Sequence, residues 1–156
     1  MYLTVTAVLL CVSMASVAVA ETKSNSDAAK EILALEKAAM ERWCKGDVEE
    51  YLDNSSDQVT YFDPGTAKRL DGLPELSKLY RSFAGQFHFD RFEFVDPKIQ
   101  FSGNVAVLTY NLIAYVDSKE ERWNATMVYQ KVRKKWKIIH THMSPTQPKL
   151  VEKSKN

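Results

Sequence analysis

The chain has 156 residues, with 21 Lys+Arg against 20 Asp+Glu for a net charge of +1, 45% apolar residues and two cysteines. That length suffices for one domain with a real core, and the near-neutral balance argues against a nucleic-acid partner that depends on a large cationic field. Five Gly and five Pro exclude a collagenous or low-complexity chain, and two cysteines cannot build a disulfide scaffold.

Met1 to Ala20 carries no charge and ends in Ala18-Val19-Ala20. This small-x-small ending is what a signal peptidase accepts, so a cleaved signal peptide is expected, with the cut before Glu21. No Lys or Arg precedes the apolar run, and a run of about 20 apolar residues can also span a bilayer. The Thr, Ser and Ala content makes it a weak span. The expectation is a secreted or periplasmic protein with no membrane attachment in its mature form. Cys11 leaves with the signal; Cys44 alone remains, and no intrachain disulfide can form.

Glu21–Ser26 is polar and reads as a flexible lead-in. From Asp27 to Lys45, Ile32, Leu33, Leu35, Ala38, Ala39, Met40 and Trp43 recur at three- and four-residue spacing, which predicts an amphipathic helix closed by Gly46. Asp47-Val48-Glu49-Glu50 has the form of an N-cap with an acid three residues on, so a short second helix runs to about Asp53. Gln58–Phe62 is a candidate strand, and Asp63-Pro64-Gly65 is turn chemistry. A third helix is expected over Pro74–Ala84, with Leu76, Leu79, Tyr80 and Phe83 on one side.

The second half changes period. Phe87, Phe89, Phe92, Phe94, Ile99 and Phe101 predict extended chain with an irregularity near Asp90-Arg91 or Asp96-Pro97. Ser102-Gly103-Asn104 signals a hairpin into a strand over Val105–Val116. Further strands follow over Glu120–Val132 and Trp136–Ser144, separated by Arg133-Lys134-Lys135. A polar tail from Pro145 to Asn156 is expected to be mobile. Helices first and hairpin-connected strands afterwards make an α+β fold.

This order of elements resembles the NTF2-like superfamily, which includes SnoaL-like domains, ketosteroid isomerase and the association domain of calcium/calmodulin-dependent kinase II. The most specific stretch is Glu121-Arg122-Trp123-Asn124-Ala125-Thr126, then Trp136-Lys137-Ile138-Ile139-His140-Thr141-His142-Met143-Ser144. It is similar to the last hairpin of the kinase association domain and its SnoaL-like neighbours. The resemblance spans Ala28 to Ser144. It implies a cone, with a curved, mostly antiparallel sheet closed by about three helices over a pocket, and a homodimer through the sheet.

The Asp63-Pro64 context is similar to that of the general base in ketosteroid isomerase. The resemblance places the partner tyrosine of that enzyme near Ala39 and its protonated acid near Thr126 or Met127, none of which supplies the group. A base without its electrophilic partners loses the largest catalytic contribution, so steroid isomerase activity is not expected. The competing reading of Asp63 is a turn residue whose carboxylate bonds nearby amides.

His140 and His142 share one strand face. Such a pair is half of a metal site, but the only other histidine is His88 in a distant segment, so no metal is expected. No Gly-rich phosphate loop, nucleophile elbow or CxxC is present, and no cofactor is expected. Cys44 sits at a helix C-terminus, which does not lower a thiol pKa, and reads as structural.

Aromatic residues supply the mass of a small apolar pocket. Trp43, Tyr61, Tyr110, Asn124, Thr126 and His140 are the candidate ligand-binding residues, and Asp63 and His142 the candidate acid–base groups. Asn124 and Thr126 share one face of their strand, opposite Trp123 and Met127, and which face looks inward stays open. The expectation is an exported domain that binds a small, partly apolar ligand or serves as a dimeric association module. The alternative is an isomerase, cyclase or lyase working through Asp63 or His142.

Overall fold

The computed structural model describes residues 6–117 and 119–146. Residues 1–5 of the expected signal peptide and residues 147–156 of the tail expected from Pro145 lie outside them, while Pro145 itself ends the last strand. The chain divides between Ala34 and Leu35 into two units, the first made of the leading part of a helix and the second of all later elements.

That helix, α1, runs over Thr6–Trp43. The polar stretch Glu21–Ser26, expected to be flexible, is helical. No Gly or Pro interrupts the sequence from Thr6 to Trp43, and nothing ends the helix until Gly46, whose φ of 76° takes the left-handed conformation that suits glycine. A Cβ on Gly46 would lie 3.0 Å from the backbone of Gly85, so two segments approach here as only glycine allows.

Helix α2 spans Glu49–Asn54. Asp47 holds its start by accepting the Glu49 amide at 3.1 Å and the Arg42 Nε–H at 2.8 Å. Strand β1 follows over Ser55–Phe62, a two-residue β2 over Leu70–Asp71, and α3 over Leu73–Phe83. The remaining strands are β3 (Arg91–Ser102), β4 (Val105–Val116), β5 (Lys119–Val132) and β6 (Lys135–Pro145). They form one curved, unclosed six-stranded sheet in the order β2-β1-β6-β5-β4-β3. All neighbours are antiparallel except β1 and β6, which run parallel and join the two halves of the sequence.

The expected irregularity in β3 is a register shift between Val95 and Lys98, where Asp96 takes a positive φ of 49°. Phe87 and Phe89 precede the strand instead of lying in it. Their segment is tied back to the end of α1 by the bonds Gly85 N–H to Gly46 O at 3.0 Å and Phe89 N–H to Cys44 O at 2.9 Å.

Strand parity sorts the sheet into two faces. Leu108, Tyr110 and Leu112 of β4, Ala125, Met127 and Tyr129 of β5, and Trp136, Ile138 and Thr141 of β6 are all buried on one face. The opposite, outer face carries Asn111, Asn124, Thr126, His140, His142 and Phe62, which are half-buried or exposed.

Candidate functional site: an aromatic cavity with a buried glutamate

The buried face of the sheet, α3 and the last turns of α1 line a half-open cavity of about 200 Å³. Trp43, Tyr61, Tyr80, Phe83, Tyr110 and Trp123 supply most of its aromatic wall, and Met40, Met127 and Met143 its flexible apolar surface. The rings meet at steep angles. Trp43 and Tyr80 have centroids 4.9 Å apart at 66°, and Tyr61 and Tyr80 lie 5.5 Å apart at 87°. These edge-to-face contacts fix the walls before any ligand arrives.

Glu36 lines the cavity and has no solvent-exposed surface. Its Oε1 accepts the hydroxyls of Tyr110 at 2.7 Å and Tyr51 at 2.9 Å, and its Oε2 accepts that of Tyr129. The three tyrosines come from β4, α2 and β5, so one carboxyl ties the last turns of α1 to three other elements. Burial pushes the Glu36 carboxyl above its usual range, against the opposing pull of the three phenol bonds. Burial likewise raises Tyr51, Tyr110 and Tyr129 well above the usual phenol value, and the neighbouring glutamate adds to this.

Tyr61 and Asp63 also line the cavity. The Tyr61 hydroxyl donates to Asp63 Oδ2 at 2.7 Å, and Asp63 Oδ1 accepts the Gly65 amide at 2.7 Å. One carboxylate oxygen therefore holds the turn while the other serves the cavity wall. Thr66 closes the same turn, its hydroxyl donating to Asp63 O at 3.0 Å. Burial is also the main reason that the Tyr61 and Tyr80 phenols are raised.

Of the residues singled out from the sequence, Trp43, Tyr61, Asp63 and Tyr110 come together around this cavity. Asn124, Thr126, His140 and His142 are brought together elsewhere, on the outer face. There Asn124 accepts the Asn111 side-chain amide at 2.8 Å, and Thr126 pairs with His142 across β5 and β6. His140 Nδ1 lies 2.8 Å from Thr60 Oγ1, and burial lowers its pKa, assisted by the nearby charge of His142. Among the described residues no group of three or more His, Cys, Asp or Glu side chains is arranged to hold a metal ion. Cys44 is buried, and burial pushes its thiol up.

Glu36 is not among the residues that sequence reasoning singles out. Its signal is an acid inside the apolar stripe of α1, four positions after Ile32 and four before Met40.

The family model of the SnoaL-like domain matches residues 32–148. A solved structure from Parabacteroides distasonis, a protein proposed to be a ketosteroid isomerase, is 36% identical to this chain. It covers 75% of this chain and 86% of its own, with a TM-score of 0.69. An NTF2-like protein of unknown function from Pseudomonas putida shares 21% identity over 83% of this chain and 93% of its own, with a TM-score of 0.72. The association domain of CaMKII from C. elegans shares 19% identity over 78% of this chain and 98% of its own, with a TM-score of 0.67. The last two, at such identities, speak for the fold alone. Among curated proteins, none matches the sequence. The aromatic cavity under an open six-stranded sheet and the match over residues 32–148 place this chain in the SnoaL-like domain family, within the NTF2-like fold.

Proposed function

We propose that this protein binds a small, mainly apolar molecule in the aromatic cavity, without needing to transform it. The observation that carries the reading is the cavity itself, about 200 Å³ of space walled by rings already locked edge to face. An apolar cavity of about 150 Å³ is large enough to take benzene, so the fit is to a body of about one ring. Two of the three tryptophans, Trp43 and Trp123, line the cavity, and Trp136 does not. Titration with benzyl alcohol should therefore change tryptophan fluorescence saturably. A linear, unsaturable response would contradict the reading.

A second reading, a cofactor-independent isomerase or lyase, is favoured by the position of Asp63 on the cavity wall and by the 36% identical relative proposed to be a ketosteroid isomerase. His142 sits on the outer face, so this reading rests on Asp63. It predicts that a one-ring β,γ-unsaturated ketone is isomerised by the protein and that Asp63→Asn abolishes the activity. Absence of turnover in the unaltered protein counts against it.

We propose further that the protein self-associates through the outer sheet face, where Phe62 and Val95 are exposed large apolar residues. The fold shared with a CaMKII association domain supports this. Sedimentation showing only monomer at micromolar concentration would contradict it. Export through a cleaved signal is proposed from Met1–Ala20. N-terminal sequencing of the secreted protein should start at Glu21, and a retained Met1 would overturn it.

A further inference from the structure

The charges around the cavity are of one sign. Glu36, Asp63 and Glu121 line it, and no Lys, Arg or His does. Among the described residues none of these three carboxyls takes part in an ion pair. Glu36 is saturated by its three tyrosines and has no exposed surface. Asp63 is half-buried and Glu121 exposed, so these two are the carboxyls that an entering molecule meets.

The cavity wall is built of π-systems set at steep angles, as the Trp43–Tyr80 and Tyr61–Tyr80 pairs show. Ring faces attract cations through their quadrupole and repel anions, and the attraction strengthens when water is excluded. An anion placed here would face two carboxylates with no cation to receive it. A neutral molecule would leave both without a cation. An ammonium group meets both requirements at once. It can donate to the free lone pairs of Asp63 while its apolar body lies against Trp43 and Met127.

We propose that the cavity selects a small organic cation, a primary or substituted ammonium on a body of about one ring, with the ammonium seated at the Tyr61–Asp63 pair. The inference rests on the cavity-binding reading above and names the ligand class for it. The aromatic wall supplies the site, and the carboxyls set the sign of its occupant.

The test is calorimetric titration of the full chain at neutral pH and low salt with three probes of equal ring size: benzylammonium, benzyl alcohol and benzoate. Benzylammonium should bind at least about tenfold more tightly than benzyl alcohol, and benzoate should not bind. Asp63→Asn, which keeps an oxygen for the Gly65 amide, should cut benzylammonium affinity about tenfold, and Glu121→Gln should cut it less. Equal or tighter binding of the alcohol or benzoate overturns the inference and leaves the cavity reading standing. So does benzylammonium binding that is indifferent to Asp63→Asn. If none of the three probes binds, both fall.

Discussion

The hydroxyl of Tyr110 donates to the carboxyl of Glu36 at 2.7 Å, joining residues 74 positions apart in the chain. With Tyr51 and Tyr129 on the same carboxyl, this bond ties the last turns of α1 to α2, β4 and β5 at the cavity wall. Removing the acceptor strands three buried hydroxyls at once. Glu36→Ala should therefore cost about 3 kcal/mol or more in urea unfolding, because breaking a buried polar cluster leaves its partners unpaired. Tyr110→Phe, which removes one donor, should cost about 1 kcal/mol. Equal effects of the two substitutions would contradict this, because Glu36 would then be worth no more than one phenol bond.

The raised pKa of Glu36 has a defined sign in stability. Its ordinary value is 4.5 and its folded-state value is higher. Between the two, the folded protein keeps a proton that the unfolded chain has released, so this group's contribution is complete below the unfolded value. It is lost as pH rises through the folded one. The urea midpoint of Glu36→Gln should therefore gain on that of the unaltered protein as pH rises above 4.5, then hold a constant difference. A difference that shrinks with rising pH would contradict this.

Gly46 carries a separate prediction. Its φ of 76° and the 3.0 Å separation between an added side-chain carbon and the Gly85 backbone both oppose any larger residue. Gly46→Ala should lower stability by about 1–2 kcal/mol, read as a fall in Tm. Gly103 also has a positive φ, of 58°, but a Cβ there meets nothing within 4 Å. Gly103→Ala should thus cost less, and the difference between the two isolates the steric contact.

Cys44 is 6% exposed and its thiol is pushed up by burial. A thiol held protonated is a poor nucleophile. A disulfide reagent should label Cys44 slowly in the native protein and rapidly after unfolding in urea. Fast native labelling would show that the end of α1 opens.

The strands and helices of the second unit were legible because their periods are clean. A hairpin signal and a long β-rich run mark β4, alternation marks β5, and a three- and four-residue recurrence marks α1 and α3. The extent of α1 through Glu21–Ser26 was not legible. Polar residues without Gly or Pro permit a helix as readily as a coil, so composition alone could not choose. The site was half legible. Trp43, Tyr61, Asp63 and Tyr110 could be picked out by their chemistry. The placement of Asn124, Thr126, His140 and His142 on the outer face depends on which side of the sheet the helices cover. Parity groups residues by face but does not name the inner one. Glu36 is not legible in the sequence because an acid on a helix is ordinarily a solvated residue, and only the tyrosines of three other elements make its burial tolerable.

The methionines offer the most direct test of the cavity as a binding site. The chain has five. Met1 and Met14 lie in the expected signal segment, and Met40, Met127 and Met143 all line the cavity. A protein beginning at Glu21 and labelled at its methionine methyls should give three NMR signals, each reporting on the cavity wall. Titration with a one-ring ligand such as benzylammonium should shift all three together along one saturation curve, and the larger side chain of Ala114→Leu, at the cavity wall, should weaken that curve. Three unmoved signals under titration with benzylammonium, benzyl alcohol and benzoate would contradict the account.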